Sequence, residues 1–204
     1  MIKIIKYEQK NNKYKIIFES KEPLTVYEEV IINNHLLYKK EIDEELYQHL
    51  LDENYYYTIY YKCLNYIKVR LRSIQEMKNY LIKQKVDPSI SELVINALIK
   101  NKFLDDERFT NAFINDKLNF TNMGDYKIKN ELQKLGVSHQ IIEDAISHID
   151  PELIKSRINK IITKNLAITK KYHGEVLKNK IYANLINQGY DQSQVIDELN
   201  KYEF

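Results

Sequence analysis

The feature that most constrains this chain of 204 residues is that it repeats itself. Tyr80-Leu-Ile-Lys-Gln-Lys-Val-Asp87, Glu131-Leu-Gln-Lys-Leu-Gly-Val-Ser138 and Asn184-Leu-Ile-Asn-Gln-Gly-Tyr-Asp191 align on Leu81, Leu132 and Leu185, at separations of 51 and 53 residues. Each block ends in a capping residue and runs into a second apolar stretch: Leu93 to Leu98, Ile141 to Ile146, Val195 to Leu199. That pattern predicts tandem units of three helices, each burying part of its apolar face against a neighbour. The punctuation agrees. Gly136 and Gly189 fall where a helix ends and the backbone turns left-handed, and all four glycines lie near helix junctions. Asp87-Pro88 and Asp150-Pro151 read as an N-cap followed by proline in the first turn. Ser73-Ile-Gln-Glu76 is a capping box.

The region before the repeats reads differently. Ile2 to Glu8 and Tyr14 to Phe18 are β-rich runs around the polar Lys10-Asn-Asn-Lys13, the pattern of a hairpin. Leu24 to Ile32 adds either a third strand or a short helix. Helical spacing starts near residue 41, on Leu46, Leu50, Tyr57, Leu64, Ile67 and Leu71. Scarce glycine (4) and proline (3) oppose a β-sandwich or a Gly-rich phosphate loop. The fold class predicted is mainly α, with tandem three-helix repeats in an extended array after a small strand segment. The boundaries are 1–50 for the strand-rich extension, then 51–103, 104–150 and 151–204 for the repeats.

The single cysteine, Cys63, excludes an internal disulfide framework and a thiolate zinc site. No apolar run is long enough to span a membrane, and the N-terminus lacks the apolar core of a secretory leader. The expectation is a reduced, soluble, cytoplasmic monomer. No phosphate-loop or dinucleotide glycine motif occurs, and the five histidines form no zinc pair. Asp105-Asp106-Glu107 resembles a metal cluster, but its place at a helix start suits it to the N-terminal dipole. No catalytic set and no cofactor is predicted.

Charge is uninformative as a total of +2 and informative as a distribution. Residues 1–55 carry net −3, 56–103 net +6, 104–150 net −4 and 151–204 net +3. Lys68, Arg70 and Arg72 lead into the capped helix at Ser73, and they include two of only four arginines. Arg suits bidentate contact with phosphate or carboxylate. Lys127, Lys129 and Lys134 lie on the corresponding helix of the second unit, and Lys178 and Lys180 on that of the third. A single lysine is an ordinary solvated residue; recurrence at equivalent places suggests a continuous binding track. The tyrosines at 55–57, 60 and 61 read as packing.

Several segments together resemble one family. Leu104-Asp-Asp-Glu-Arg-Phe109 followed by Ala112-Phe113 looks like the central signature of RecX, the regulator of the RecA recombinase. Leu64-Asn-Tyr-Ile-Lys-Val-Arg70-Leu-Arg72-Ser73, with Glu76, is similar to the family's Leu-x-Tyr-Leu-x-x-Arg-x-Arg-Ser segment. Gly124-x-x-Lys127-Ile128-x-x-Glu131-Leu132 and Gly136-Val137 are similar to a third. The strand-rich extension resembles that of Gram-positive members. Asp125 and Tyr126 stand where proline and a basic residue are usual, and Leu135 replaces a lysine. These departures weaken the basic face of the middle unit and turn it toward protein contact.

The resemblance implies a curved array lodged in the groove of the RecA–DNA filament, where it blocks ATP turnover or strand exchange without chemistry of its own. The implied partners are the RecA filament and, non-specifically, single- and double-stranded DNA. The candidate contacts are Lys68, Arg70, Arg72, Lys78, Arg108, Lys127, Lys129, Lys134, Lys178 and Lys180; Arg108 is also placed to pair with Asp105.

Three rivals make separate demands. A helix-turn-helix transcription regulator requires one recognition helix rich in Arg, Asn and Gln at its N-terminal end, and none stands out. A nuclease requires converging carboxylates, for which only Asp105 to Glu107 are available. A pure protein scaffold requires DNA affinity indifferent to Arg70 and Arg72.

Overall fold

Apolar alternation at the start of the chain produces the hairpin: β1 (Ile2–Lys10) pairs antiparallel with β2 (Lys13–Phe18), with Asn11 left-handed in the turn (φ 55°). The computed structural model describes residues 1–168 and 171–204. Leu24 to Ile32 supplies both of the expected alternatives, as β3 (Leu24–Tyr27) followed directly by α1 (Glu28–Asn33). After a 3-10 turn at Leu36–Tyr38 comes the two-residue β4 (Glu41–Ile42), completing a sheet of order β3-β2-β1-β4.

The long helix α2 (Glu44–Val69) starts on Asp43, whose side chain accepts the Leu46 N–H at 2.7 Å. The change from sheet to helix therefore precedes residue 51. Seven further helices surround or form the repeated blocks: α3 (Ile74–Lys83), α4 (Pro88–Lys100), α5 (Asp106–Phe120), α6 (Asp125–Lys134), α7 (His139–Ser147), α8 (Pro151–Ile168) and α9 (Gly174–Gln188), with α10 (Gln192–Leu199) closing the chain.

Two compact units result: Met1–Arg70 with Leu81–Phe103, and Leu71–Tyr80 with Leu104–Phe204. In the first, the inner sheet face packs Ile2, Ile16, Phe18 and Val26 against Val30 and Ile31 of α1 and Leu50 of α2. Of the tyrosines expected to pack, Tyr56, Tyr57, Tyr60 and Tyr61 do, in a set of ring contacts, while Tyr55 is exposed. Tyr61 stacks on Tyr27 at 4.6 Å between ring centres and donates its hydroxyl to Glu29. That bond, followed by burial, holds the Tyr61 phenol at a pKa of about 12. Cys63 is fully buried, and burial alone pushes its thiol to about 12. The second unit has one continuous core from Phe109 of α5 to Leu199 of α10, including Ile128, Leu132, Ile142, Ile158, Ile181 and Leu185.

The three aligned blocks share one local geometry. Leu81, Leu132 and Leu185 are all buried, and the carbonyl of each accepts the amide five residues on, from Val86, Val137 and Tyr190 at 3.2 Å each. This is the Schellman closure, which needs a left-handed residue before the donor. Gly136 (φ 79°) and Gly189 (φ 90°) fill that position, whereas the first block holds Lys85 there at φ 55°. The next helix is then capped by Asp87, Ser138 or Asp191.

Candidate nucleic-acid interface

The helix starts that carry the candidate cations are fixed first. Ser73 and Glu76 form the expected capping box: Ser73 N–H donates to Glu76 Oε2 at 3.2 Å, and Glu76 N–H to Ser73 Oγ at 3.0 Å. The Ser73 hydroxyl also donates to the Leu135 carbonyl at 2.6 Å. A Cβ at Gly136 would lie under 3.0 Å from the Gln75 side chain, so the turn after α6 sits hard against the start of α3. The same joint recurs one repeat later in the same unit. Gly124 N–H donates to the Gln188 carbonyl at 2.8 Å and Tyr126 N–H to the Gly189 carbonyl at 3.0 Å. A Cβ at Gly189 would lie 2.6 Å from Lys127 N, and one at Gly124 would lie 2.5 Å from Tyr190 N. The turn glycines thus serve twice, in the left-handed turn and in close approach to the preceding repeat.

On this frame the candidates separate. Lys78, Lys129 and Lys178 occupy the same place, the fifth residue of α3, α6 and α9. Two of them are engaged with the helix that follows. Lys129 Nζ meets Glu143 Oε2 of α7 at 2.7 Å, and its side chain is only 22% exposed. Lys178 Nζ donates to Asn200 Oδ1, beyond α10, at 3.1 Å. The Lys129 ammonium holds the Glu143 carboxyl below its ordinary range. At these two places the recurrence reflects a stitch within the repeat.

Arg72 is also drawn inward: its side chain is 11% exposed and faces Glu76 at 3.6 Å. Lys68, in the last turn of α2, and Arg70, its C-cap, are exposed, as are Lys78, Arg108, Lys127, Lys134 and Lys180. Lys180 Nζ lies 3.8 Å from the centre of the Tyr172 ring. Asp105 caps α5 by accepting the backbone amide of Arg108 at 2.9 Å, so the expected pairing with Arg108 is made by its main chain. Asp106 Oδ1 accepts the Ile74 N–H at 2.9 Å, and burial raises its pKa despite that bond. Two carboxylates of the apparent metal cluster are therefore caps. Among the described residues no three His, Cys, Asp or Glu side chains converge on a metal site.

Sequence reasoning missed Arg157 of α8. Its guanidinium donates to the Leu118 carbonyl, to Thr121 O at 2.8 Å and to Met123 O at 3.1 Å, closing the free carbonyl end of α5. The available signal was the Thr121-Asn-Met-Gly124 break, which leaves carbonyls that a nearby fork of donors must satisfy. An open groove of about 570 Å³ between α5 and α7 was missed as well. It is lined by Glu107, Asn111, Ser138, Gln140, Ile141 and Asp144, and is acidic.

Comparison with known proteins places this geometry. Residues 105–146 match the family described as "RecX, second three-helix domain". The chain is 32% identical over 198 residues to the Regulatory protein RecX of Finegoldia magna, covering 93% of this chain and 94% of that protein. It is 31% identical to that of Halalkalibacterium halodurans, covering 95% and 74% respectively. A crystal structure of regulatory protein RecX superposes with a TM-score of 0.85 at 20% identity over 99% of this chain and all of that one. RecX from Lactobacillus salivarius gives 0.68 at 21% identity over 72% and 95%. The two structures share the fold, and the sequence identity over nearly the full length of both chains goes further: this chain belongs to the RecX family of regulatory proteins.

Proposed function

We propose that the chain is a non-enzymatic regulator that binds the RecA recombinase and its DNA filament in the cytoplasm, as a monomer, and inhibits ATP hydrolysis and strand exchange. The observation that carries this reading is the likeness to RecX regulatory proteins over nearly the whole length of both chains. The division into a strand-rich extension and three tandem three-helix units belongs to the same proposal.

Charge supports a two-sided contact. The exposed cations Lys127 and Lys134 on α6 and Lys180 on α9, with Lys68 and Arg70 at the end of α2, suit phosphate oxygens. The acidic groove between α5 and α7 suits basic protein surface. Positions that contact a filament by charge need no catalytic geometry, only reach and sign.

The test is single-stranded-DNA-dependent ATP hydrolysis by the cognate RecA, with this protein titrated below one copy per recombinase. Suppression at low ratios is the expected result. Unchanged hydrolysis at equimolar protein overturns direct inhibition.

A further inference from the structure

The solvent face of the N-terminal sheet is not a neutral covering. Apart from a register shift between Ile4 and Lys6, which leaves Ile5 exposed, β1 and β2 alternate across the sheet: Ile2, Ile4, Tyr7, Tyr14, Ile16 and Phe18 turn to the core side, while Lys3, Lys6, Glu8, Lys10, Lys13 and Lys15 are exposed. Register brings the lysines together, with Lys10 directly opposite Lys13 and Lys15 opposite Glu8.

Abundant lysine in the chain as a whole does not account for this. Residues 1–19 hold five lysines and two glutamates, net +3, while residues 20–55 are net −6. The cations of this region concentrate on β1 and β2, with Glu8 and Glu19 as the anions among them. Lys3 and Lys6 have partners, Glu19 at 3.5 Å and Glu8 at 2.5 Å, and both pairs are solvent-exposed. Lys13 sits over the Tyr27 ring at 4.3 Å. Among the described residues, Lys10 and Lys15 have no ion pair. Directly opposed like charges work against a strand pair, so the Lys10–Lys13 pairing is not explained by the stability of the hairpin. Lys13 and Lys15, about 7 Å apart along β2, with Lys10 directly across from Lys13, form a cation cluster, broken on β1 by Glu8, that matches a polyanion.

We propose that this sheet face binds the phosphate backbone of a single nucleic-acid strand, with Lys10, Lys13 and Lys15 as the principal contacts and Lys3 and Lys6 extending the track. It rests on the reading that the chain works on a DNA filament, and adds a second, helix-independent contact. The face makes only phosphate contacts, so binding is independent of sequence and sensitive to salt.

The experiment uses the full chain and a fluorescein-labelled oligothymidine, followed by anisotropy from 50 to 200 mM NaCl (about the range over which phosphate contacts weaken). The variant is Lys10→Gln/Lys13→Gln/Lys15→Gln, which removes a like-charge opposition and leaves the core side untouched. Far-UV circular dichroism and a melting curve equal to the parent verify its fold. The expected result is a loss of affinity on the order of tenfold or more at the lowest salt, and a salt slope shallower by about 2, since each neutralised phosphate contributes about 0.7 for a single strand. Unchanged affinity and slope overturn the proposal, as does a parent chain with no affinity for the oligonucleotide. Inhibition of RecA hydrolysis by the same variant keeps the two readings apart: a variant that inhibits but binds the oligonucleotide weakly supports the sheet contact, and a parent that binds but never inhibits removes the recombinase reading alone.

Discussion

The joint between the start of α6 and the turn after α9 makes the sharpest demand on sequence, and Gly124→Ala tests it. Gly124 has an ordinary backbone (φ −82°), so alanine is not strained there by conformation. The obstacle is backbone. The new Cβ would lie under 3.0 Å from Gly189 C and O and 2.5 Å from Tyr190 N, atoms that cannot rotate away. Making room parts the two segments and stretches the Gly124 N–H to Gln188 and Tyr126 N–H to Gly189 hydrogen bonds. Overpacking costs about 1–3 kcal/mol, and two weakened hydrogen bonds add about 1 kcal/mol each. The total expected is about 4 kcal/mol for the second unit, an increase of up to roughly a thousandfold in local opening. Gly174→Ala is the control: it carries the left-handed penalty of about 1–2 kcal/mol at φ 59° with nothing within 4 Å of the new Cβ. Hydrogen exchange read on peptides spanning 121–135 and 185–195 is expected to accelerate strongly in Gly124→Ala and little in Gly174→Ala. Equal protection in the two variants, or a larger effect at Gly174, refutes the close-approach argument.

Two further outcomes follow from buried groups. Arg157→Ala leaves three carbonyls at the end of α5 without their charged donor, and a loss of about 3 kcal/mol is expected in urea unfolding; Arg157→Lys restores less than half of it, because one ammonium cannot span the Leu118, Thr121 and Met123 carbonyls. The Cys63 thiol, with a folded pKa raised to about 12 by burial, is expected to stay silent toward a thiol-specific disulfide reagent at pH 8 and to react fully in denaturant. The sign of its linkage follows: the contribution is fully present below the ordinary thiol pKa and falls as pH rises from there toward 12, because only the unfolded thiol ionises in that window. Rapid labelling of the folded chain contradicts the assignment.

The repeat was legible because it is local. A buried leucine, a left-handed residue and a cap lie within eight consecutive positions, and each has its own residue preference. The hairpin was legible for the same reason, through alternation and an Asn-containing turn. Leu24 to Ile32 was ambiguous because β-branched and aromatic residues suit both a strand and the start of a buried helix, and only pairing with β2 ends the strand at Tyr27. The joints were not legible. Gly124 and Gly189 are 65 residues apart, and no local signal says that their backbones touch. Arg157 was hidden likewise, since an arginine on a helix looks solvated until its carbonyl partners are known.

The same distinction bears on the recurring lysines. A cation at the fifth place of a helix is required equally by a phosphate track and by a tie to the next helix, so periodicity alone cannot separate the two. The partner decides. Glu143 and Asn200 stand on or just after the helix following Lys129 and Lys178, and a lysine held there gains little from reaching outward. Lys127, Lys134 and Lys180 are exposed, Lys180 with its ammonium over the Tyr172 ring; at the matching places after the cap, Glu76 and Val176 stand opposite Lys127 and Tyr80 and Glu131 opposite Lys180, whereas Lys83 repeats the cation of Lys134. Lys129 and Lys178 are tied within their own repeats, and under the proposed function it is the exposed lysines that are expected to meet the filament.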